Sequence, residues 1–113
     1  MSEFESDYAM ALQSVLDKNL ATAACTFYYL NEADPHTQKL LCTALALFND
    51  VIIRLASRAG IPLIDLRMVC NQPADYANPI EPSSQGARKI AAAILGLIAD
   101  ADFSRSQTQV FLR

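Results

Sequence analysis

The sequence of 113 residues has little of what marks several common classes of protein. Its nine basic residues are scattered, with no run longer than Arg88-Lys89, and the net charge is −3. A basic surface for nucleic acid is therefore not expected. Residues 1–10 are acidic and lack the basic and apolar regions of a signal peptide, and no unbroken apolar run reaches the roughly 18 residues of a membrane span. We predict a cytoplasmic protein that binds neither nucleic acid nor membrane.

Cysteine and histidine are also scarce. Cys25, Cys42 and Cys70 are odd in number and widely spaced, with no Cys-x-x-Cys pair and no nearby histidine. They are predicted to be reduced, mostly buried apolar side chains and not zinc ligands or reactive thiols. The single histidine, His36, falls at a predicted helix start, where we expect it to be solvated. The sequence shows no metal or cofactor set.

What the sequence does contain is typical of one globular α/β domain. Hydrophobic residues make up 52% and charged residues 19% of the chain. Apolar spacing predicts a helix over 3–19, a covered strand over 21–30 and a long helix over 36–59. The apolar stretch 61–70 predicts a second short, buried strand that begins at Pro62, and a further helix begins after Ser83. Two strands joined by one helix predict a parallel pair with a right-handed crossover.

Local signals predict where these elements begin and end. Ser2 and Glu5 have the spacing of a capping box, and Ser83 has the position of a helix cap. Gly60 fits the left-handed position after the long helix. Gly86, in the first turn of the last helix, is expected to allow close approach of a neighbour or to lie on the surface. The side chains of the tail alternate in character around Thr108 to Leu112, a pattern that predicts an edge strand.

The stretch between the second strand and the last helix is the most informative one for function. A strand that runs into a polar loop and then a helix start is where open α/β sheets bind their ligands. This loop carries Asp75, Asn78 and Glu81. Asp65 and Arg67, at the strand end, are expected to pair with each other or with the loop backbone.

Several segments together resemble one known family. They are Phe48-Asn49-Asp50, residues 62–70, residues 75–83, Gly86 and Lys89-Ile90-Ala91. This combination resembles the C-terminal half of an SGNH (GDSL-type) hydrolase. The resemblance implies a three-layer α/β/α, flavodoxin-like fold with a short, mostly parallel sheet, and the hydrolysis of small esters. Residues 1–113 would then be a single partial domain.

The resemblance also implies a site, which this chain matches only in part. Asn78 and Glu81 stand at the acid and base positions of the family's Asp-x-x-His-Pro motif, and Asp75 is a candidate for the acid after a local shift of the loop. The alternative for Asp75 is a turn residue that caps local N–H groups. The family's Gly-Asp-Ser nucleophile segment has no counterpart here. Asn49-Asp50 is interpreted as a pair on a helix surface and not as an oxyanion motif.

Three hypotheses follow from this partial match. In the first, the chain is an incomplete SGNH-type esterase that is inactive by itself and takes a small ester substrate only when completed. In the second, it is a non-catalytic interaction module that forms a homodimer or pairs with a separate N-terminal half. The third, weakest hypothesis is residual hydrolysis with Ser83 or Ser84 as nucleophile beside Glu81. None of the three requires a cofactor or a metal.

Overall fold

The computed structural model describes residues 2–104 and 106–113 and shows a mixed α/β fold that is rich in helix. A single 3-10 turn, Pro73–Asp75, lies in the loop before the last helix. The helices and strands in chain order are α1 (Ser2–Leu16), β1 (Ala24–Cys25), α2 (Pro35–Ala59), β2 (Leu63–Ile64), α3 (Leu66–Val69), α4 (Ser84–Asp100) and β3 (Val110–Phe111). The predicted α/β class is confirmed at this level.

The three strands form one parallel sheet in the order β1-β2-β3. Ala24 pairs with Leu63 in the first ladder, and Leu63 pairs with Val110 in the second. The sheet is therefore parallel, and the tail does form an edge strand, as predicted. Each strand is shorter than predicted, because only two residues of each lie in the ladder.

The sheet is covered by different helices on its two faces. Leu63 packs with Ile52 and Ala56 of α2 and with partly buried residues of α1. The next residue, Ile64, points the other way and packs with Ala93 and Leu97 of α4. Each strand is added on the same side of the previous one, from β1 to β2 to β3. Because α2 covers one face of the sheet and α4 covers the other, the β1-α2-β2 and β2-α4-β3 crossovers have opposite hands. One of them departs from the right-handed rule.

The long helix predicted over 36–59 is found as Pro35–Ala59, and the signals at both of its ends are local. Asp34 caps the helix by accepting a hydrogen bond from the Thr37 N–H at 3.0 Å, and Pro35 occupies the first turn. Gly60 ends the helix with a φ of 69°. A Cβ at Gly60 would lie 2.3 Å from the Ser106 carbonyl oxygen, so both conformation and space require glycine here.

Three local predictions were wrong. Ser2 lies inside α1 and not at its N-cap. The apolar residues after Asp65 form α3 instead of prolonging the strand, because the Asp65 carboxylate caps the turn by accepting from the Arg67 N–H. Of the three free cysteines only Cys70 is buried, whereas Cys42 is half-buried and Cys25 is exposed.

The prediction of a surface pair at Asn49-Asp50 was right for Asp50 and wrong for Asn49. Asp50 is exposed and pairs with Arg54 at 2.9 Å. Asn49 has no exposed surface, and its side chain forms hydrogen bonds to the backbone of Phe27. The reason is helical spacing, because Asn49 shares the buried face of α2 with Ile52 and Ala56.

A large share of the apolar surface is not covered. Among the described residues eleven hydrophobic side chains are buried, while fifteen large ones are exposed, including Leu40, Leu47, Leu95 and Ile98. The accessible surface is 7094 Å², against roughly 6,100 Å² for a folded monomer of this size. Six of the fifteen lie on α2 and α4, and the others are spread along the rest of the described chain.

The helix α2 is long and apolar enough to cross a membrane by length and composition alone. Core helices of soluble proteins meet the same criterion. The predicted absence of membrane binding therefore stays a prediction.

Candidate functional site

A polar cleft of about 240 Å³ lies where the chain leaves the carboxyl ends of β1 and β2. This is the end at which parallel sheets place their ligands. A slightly larger hollow of about 300 Å³, between α1 and α2, lies away from the strand ends. Residues that follow both strands line the polar cleft, among them Tyr29, Asn31, Gln38, Arg67, Asn71, Gln72 and Tyr76.

Arg67 is the charged side chain of this cleft, and a buried network fixes its position. Its Nε and Nη2 atoms both donate to the Asp65 carboxylate at 2.8 Å. The hydroxyl of Thr26, itself buried, donates to Asp65 at 3.1 Å and accepts from the Leu66 N–H at 2.9 Å. The pair predicted for Asp65 and Arg67 is confirmed. The Arg67 guanidinium holds the pKa of Asp65 below its usual value, so the carboxylate remains charged at neutral pH.

The Asp65 carboxylate uses two of the five guanidinium donors of Arg67, and Tyr29 also interacts with this side chain. Together Asp65 and Tyr29 raise the pKa of Arg67, so it stays charged. Because Asp65 balances that charge, the cleft suits a neutral acceptor such as a carbonyl oxygen better than an anion.

Asp75 lies outside this cleft, fully buried against α4. Its carboxylate accepts from the backbone N–H groups of Asn71 and Gln72, each at 3.0 Å. It also accepts from Gln85 at 3.0 Å and from the Lys89 ammonium at 2.7 Å. Burial alone raises the pKa of Asp75, but these donors outweigh it and lower the pKa to about 2. A carboxylate so well satisfied is a poor proton acceptor.

The loop that carries Asp75 is fastened to the chain beyond β1 by two tyrosines. The Tyr28 hydroxyl donates to the Ile80 carbonyl at 2.8 Å. The Tyr76 hydroxyl donates to the Tyr29 carbonyl and, at 3.1 Å, to the Cys70 carbonyl. Burial raises the pKa of Tyr76 to about 12. The two rings also meet edge to face at 5.9 Å, so this junction is both apolar and hydrogen-bonded.

Asn78 and Glu81 form a turn within the loop. The Asn78 Oδ1 accepts from the N–H groups of Ile80 at 2.9 Å and Glu81 at 2.8 Å. An antiparallel bridge between Tyr76 and Pro82 closes the turn. The backbone of Glu81 is thus fixed, while its side chain is exposed. Asn78 serves a structural purpose here, because its only acceptor atom is occupied.

The start of α4 locks against the same loop. The Ser83 hydroxyl accepts from the Gly86 N–H at 3.2 Å, as predicted for a cap, and donates to the Ala74 carbonyl at 2.5 Å. Gly86 is buried, and a Cβ there would lie 2.1 Å from the Asp75 carbonyl oxygen. The close approach predicted for Gly86 is therefore confirmed.

The structure does not gather the three predicted site residues around one point. Asp75 faces α4, Asn78 faces its own turn and Glu81 faces solvent. Lys89, the partner of Asp75, was missed, although Gln85 and Lys89 stand four residues apart and so share one helix face. Within residues 2–104 and 106–113, no group of three His, Cys, Asp or Glu side chains is placed to hold a metal.

No family model, no curated protein and no solved structure matches the chain.

Proposed function

We propose that the chain is part of a three-layer α/β/α, flavodoxin-like domain of the SGNH type, and that it has no ester hydrolase activity by itself. The observation that carries this proposal is the uncovered side of β1. Ala23, Cys25 and Phe27 are all exposed, whereas Ala24 and Thr26 between them are buried. Parallel strands are ordinarily covered on both faces. The proposal accounts for this exposure, since the helix layer of a complete three-layer domain would cover this face of β1.

The polar groups of the loop explain the lack of activity. Ser83 is engaged at both its donor and its acceptor side as the cap of α4. Asp75 is neutralised by Lys89, and the only histidine in the sequence, His36, is an exposed residue in the first turn of α2. A serine hydroxyl without an adjacent base is a weak nucleophile. We therefore assign the loop a structural role in this chain.

In a completed domain, the cleft beside Arg67 is the place for a small ester substrate. The guanidinium is fixed by Asp65, Arg67 lines the cleft, and the side chain has N–H donors that Asp65 does not use. A positioned donor of this kind orients a carbonyl oxygen. The chain would then contribute one wall of the site, and the partner segment would contribute the nucleophile. We place this assembly in the cytoplasm, with neither nucleic acid nor membrane as a partner.

A direct test is hydrolysis of a short-chain aryl ester such as p-nitrophenyl acetate by the purified chain. We expect the same rate with the wild type, with Glu81→Gln and with buffer. A rate well above buffer that falls in Glu81→Gln would overturn the proposal. The DNA upstream of the first codon provides an independent test, because the proposal expects a strand followed by Gly-Asp-Ser there.

A second candidate is a stand-alone module that associates with itself, and the exposed apolar surface favours it. Leu40 and Leu47 on α2, and Leu95 and Ile98 on α4, are each more than half exposed. Patches of this kind mark interaction sites in soluble proteins. Light scattering of the purified chain distinguishes the two candidates. A concentration-dependent dimer supports self-association, whereas a stable monomer contradicts it.

A further inference from the structure

The polar cleft contains a cation whose charge is balanced inside the protein. Among the described residues that line the cleft, Arg67 is the one that carries a charge. Its counter-ion, Asp65, lies at the end of β2 and is only 9% exposed. A ligand in the cleft therefore meets a guanidinium that already has a carboxylate partner. A negatively charged ligand would be repelled by that carboxylate as well as attracted by the guanidinium.

The two oxygens of Asp65 have different tasks. Oδ1 accepts from the Thr26 hydroxyl at 3.1 Å, from the Arg67 backbone N–H at 3.2 Å and from Arg67 Nε at 2.8 Å. It thus joins the end of β1 to α3 and caps α3. Oδ2 accepts from Arg67 Nη2 at 2.8 Å. Because asparagine keeps one such oxygen and also caps helices, the charge of Asp65 can be removed while the oxygen that the fold uses is retained.

We propose that Asp65 makes this cleft select neutral ligands over anions. The inference rests on the proposed use of the cleft for a small ester, and it narrows that ester to one without a carboxylate or phosphate group beside its carbonyl. Arg67 has N–H donors that Asp65 does not use, and these are available to a carbonyl oxygen. An anion would accept the same hydrogen bonds but would lose affinity through repulsion by the nearby Asp65 carboxylate.

Two ring compounds of nearly the same shape test this selection. Benzamide is neutral and presents a carbonyl oxygen, whereas benzoate carries a negative charge. The Tyr29 and Tyr76 side chains that line the cleft suit an aromatic probe. Binding is measured by NMR titration, from the backbone amide signals of the residues that line the cleft. We expect the wild type to bind benzamide at least about tenfold more tightly than benzoate.

Asp65→Asn should remove this preference, because Arg67 would then be a cation without a counter-ion. We expect this variant to bind benzoate at least about tenfold more tightly than the wild type does, and its affinity for benzamide to change by less than about threefold. Asp50→Asn is the matched control, since it removes an exposed carboxylate that pairs with Arg54 on α2. It should change neither affinity. A merely structural role of Asp65 would weaken the binding of both probes and leave the ratio of their affinities unchanged.

The comparison of the two probes in the wild type needs no variant, so it tests the proposal even if Asp65→Asn fails to fold. The proposal is wrong if the wild type binds benzoate as tightly as benzamide, if it does not bind benzamide in the cleft, or if folded Asp65→Asn gains no affinity for benzoate. The hydrolysis assay gives a separate answer. If the chain binds benzamide selectively and also hydrolyses the aryl ester, the proposed lack of activity is wrong while the selection by Asp65 stands.

Discussion

The loop over residues 71–83 and the region around β1 differ in how completely their groups are partnered. In the loop, the Asp75 carboxylate has four donors, and the side chains of Asn78 and Ser83 hold turns in place. Around β1, exposed residues alternate with buried ones, and apolar side chains of α2 face solvent. The comparison indicates that the polar groups of the loop are satisfied within the chain, whereas apolar side chains around β1 are left exposed.

The largest effect should come from removing the Asp75 carboxylate. Asp75→Ala removes a fully buried carboxylate and with it the acceptor of the Lys89 ammonium, of Gln85 and of two backbone N–H groups. We expect the free energy of unfolding to fall by about 3 kcal/mol in urea denaturation, since breaking one side of a buried ion pair is costly. Asp50→Ala, which removes an exposed carboxylate on α2, is the matched control and should change stability by less than about 0.5 kcal/mol. Similar losses in both variants would contradict the contrast between the two regions.

A methyl group at Gly86 should have the next largest effect. The Cβ of Gly86→Ala would lie 2.1 Å from a backbone oxygen of Asp75, so α4 must move away from the loop. We expect a loss of about 2 kcal/mol by thermal or urea unfolding. Gly96→Ala in the same helix has its nearest neighbour at 3.8 Å and should instead stabilise the chain by about 0.5–1 kcal/mol. Equal effects at the two glycines would mean that the loop does not constrain α4.

Low pH should weaken the loop through the same carboxylate. The folded pKa of Asp75 is about 2, below the value of about 3.9 of an unfolded aspartate. The stabilisation is therefore complete above pH 4 and is lost as the pH falls from about 4 to about 2. We expect this residue to contribute about 2 kcal/mol to that loss. Asp75→Ala should lack this part of the pH dependence, and an unchanged pH profile in the variant would contradict the assignment.

The smallest effect should come from the turn at Asn78. Asn78→Ala removes the acceptor of two N–H groups that solvent can reach, so we expect a loss of about 1 kcal/mol in urea unfolding. Glu81→Gln leaves the turn intact and should be close to neutral. A larger cost at Glu81 than at Asn78 would point to a role for that carboxylate beyond the turn.

The sequence predicted those parts of the fold whose causes are local. The bounds of α2 follow from Asp34, Pro35 and Gly60, and the start of α4 follows from Ser83. The parallel sheet and the pairing of Asp65 with Arg67 also followed from order and spacing. The helix ends and the Asp65–Arg67 pair depend on residues within a few positions of one another, whereas the parallel sheet was predicted from the order of strand, helix and strand.

The side-chain contacts that the sequence did not predict join segments that are distant in the chain. Asn49 reaches Phe27 across 22 positions, and Lys89 reaches Asp75 across 14. The alternative for Asp75, a cap of local N–H groups, is confirmed by its bonds to the Asn71 and Gln72 backbone. Its contacts with α4 and the occupied oxygen of Asn78 are visible only in the folded loop. The apolar run after Asp65 was misread as strand because Leu66, Met68 and Val69 fit a buried strand as well as a short helix.

The loop expected to hold acid and base chemistry is instead a structural unit built around Asp75. An NMR titration of the side-chain carboxyl carbons tests it most directly. We expect the Asp75 carboxyl to titrate at about pH 2 in the folded chain. A pKa of 4 or higher would show that the four donors do not stabilise the charged carboxylate and would contradict this structural role.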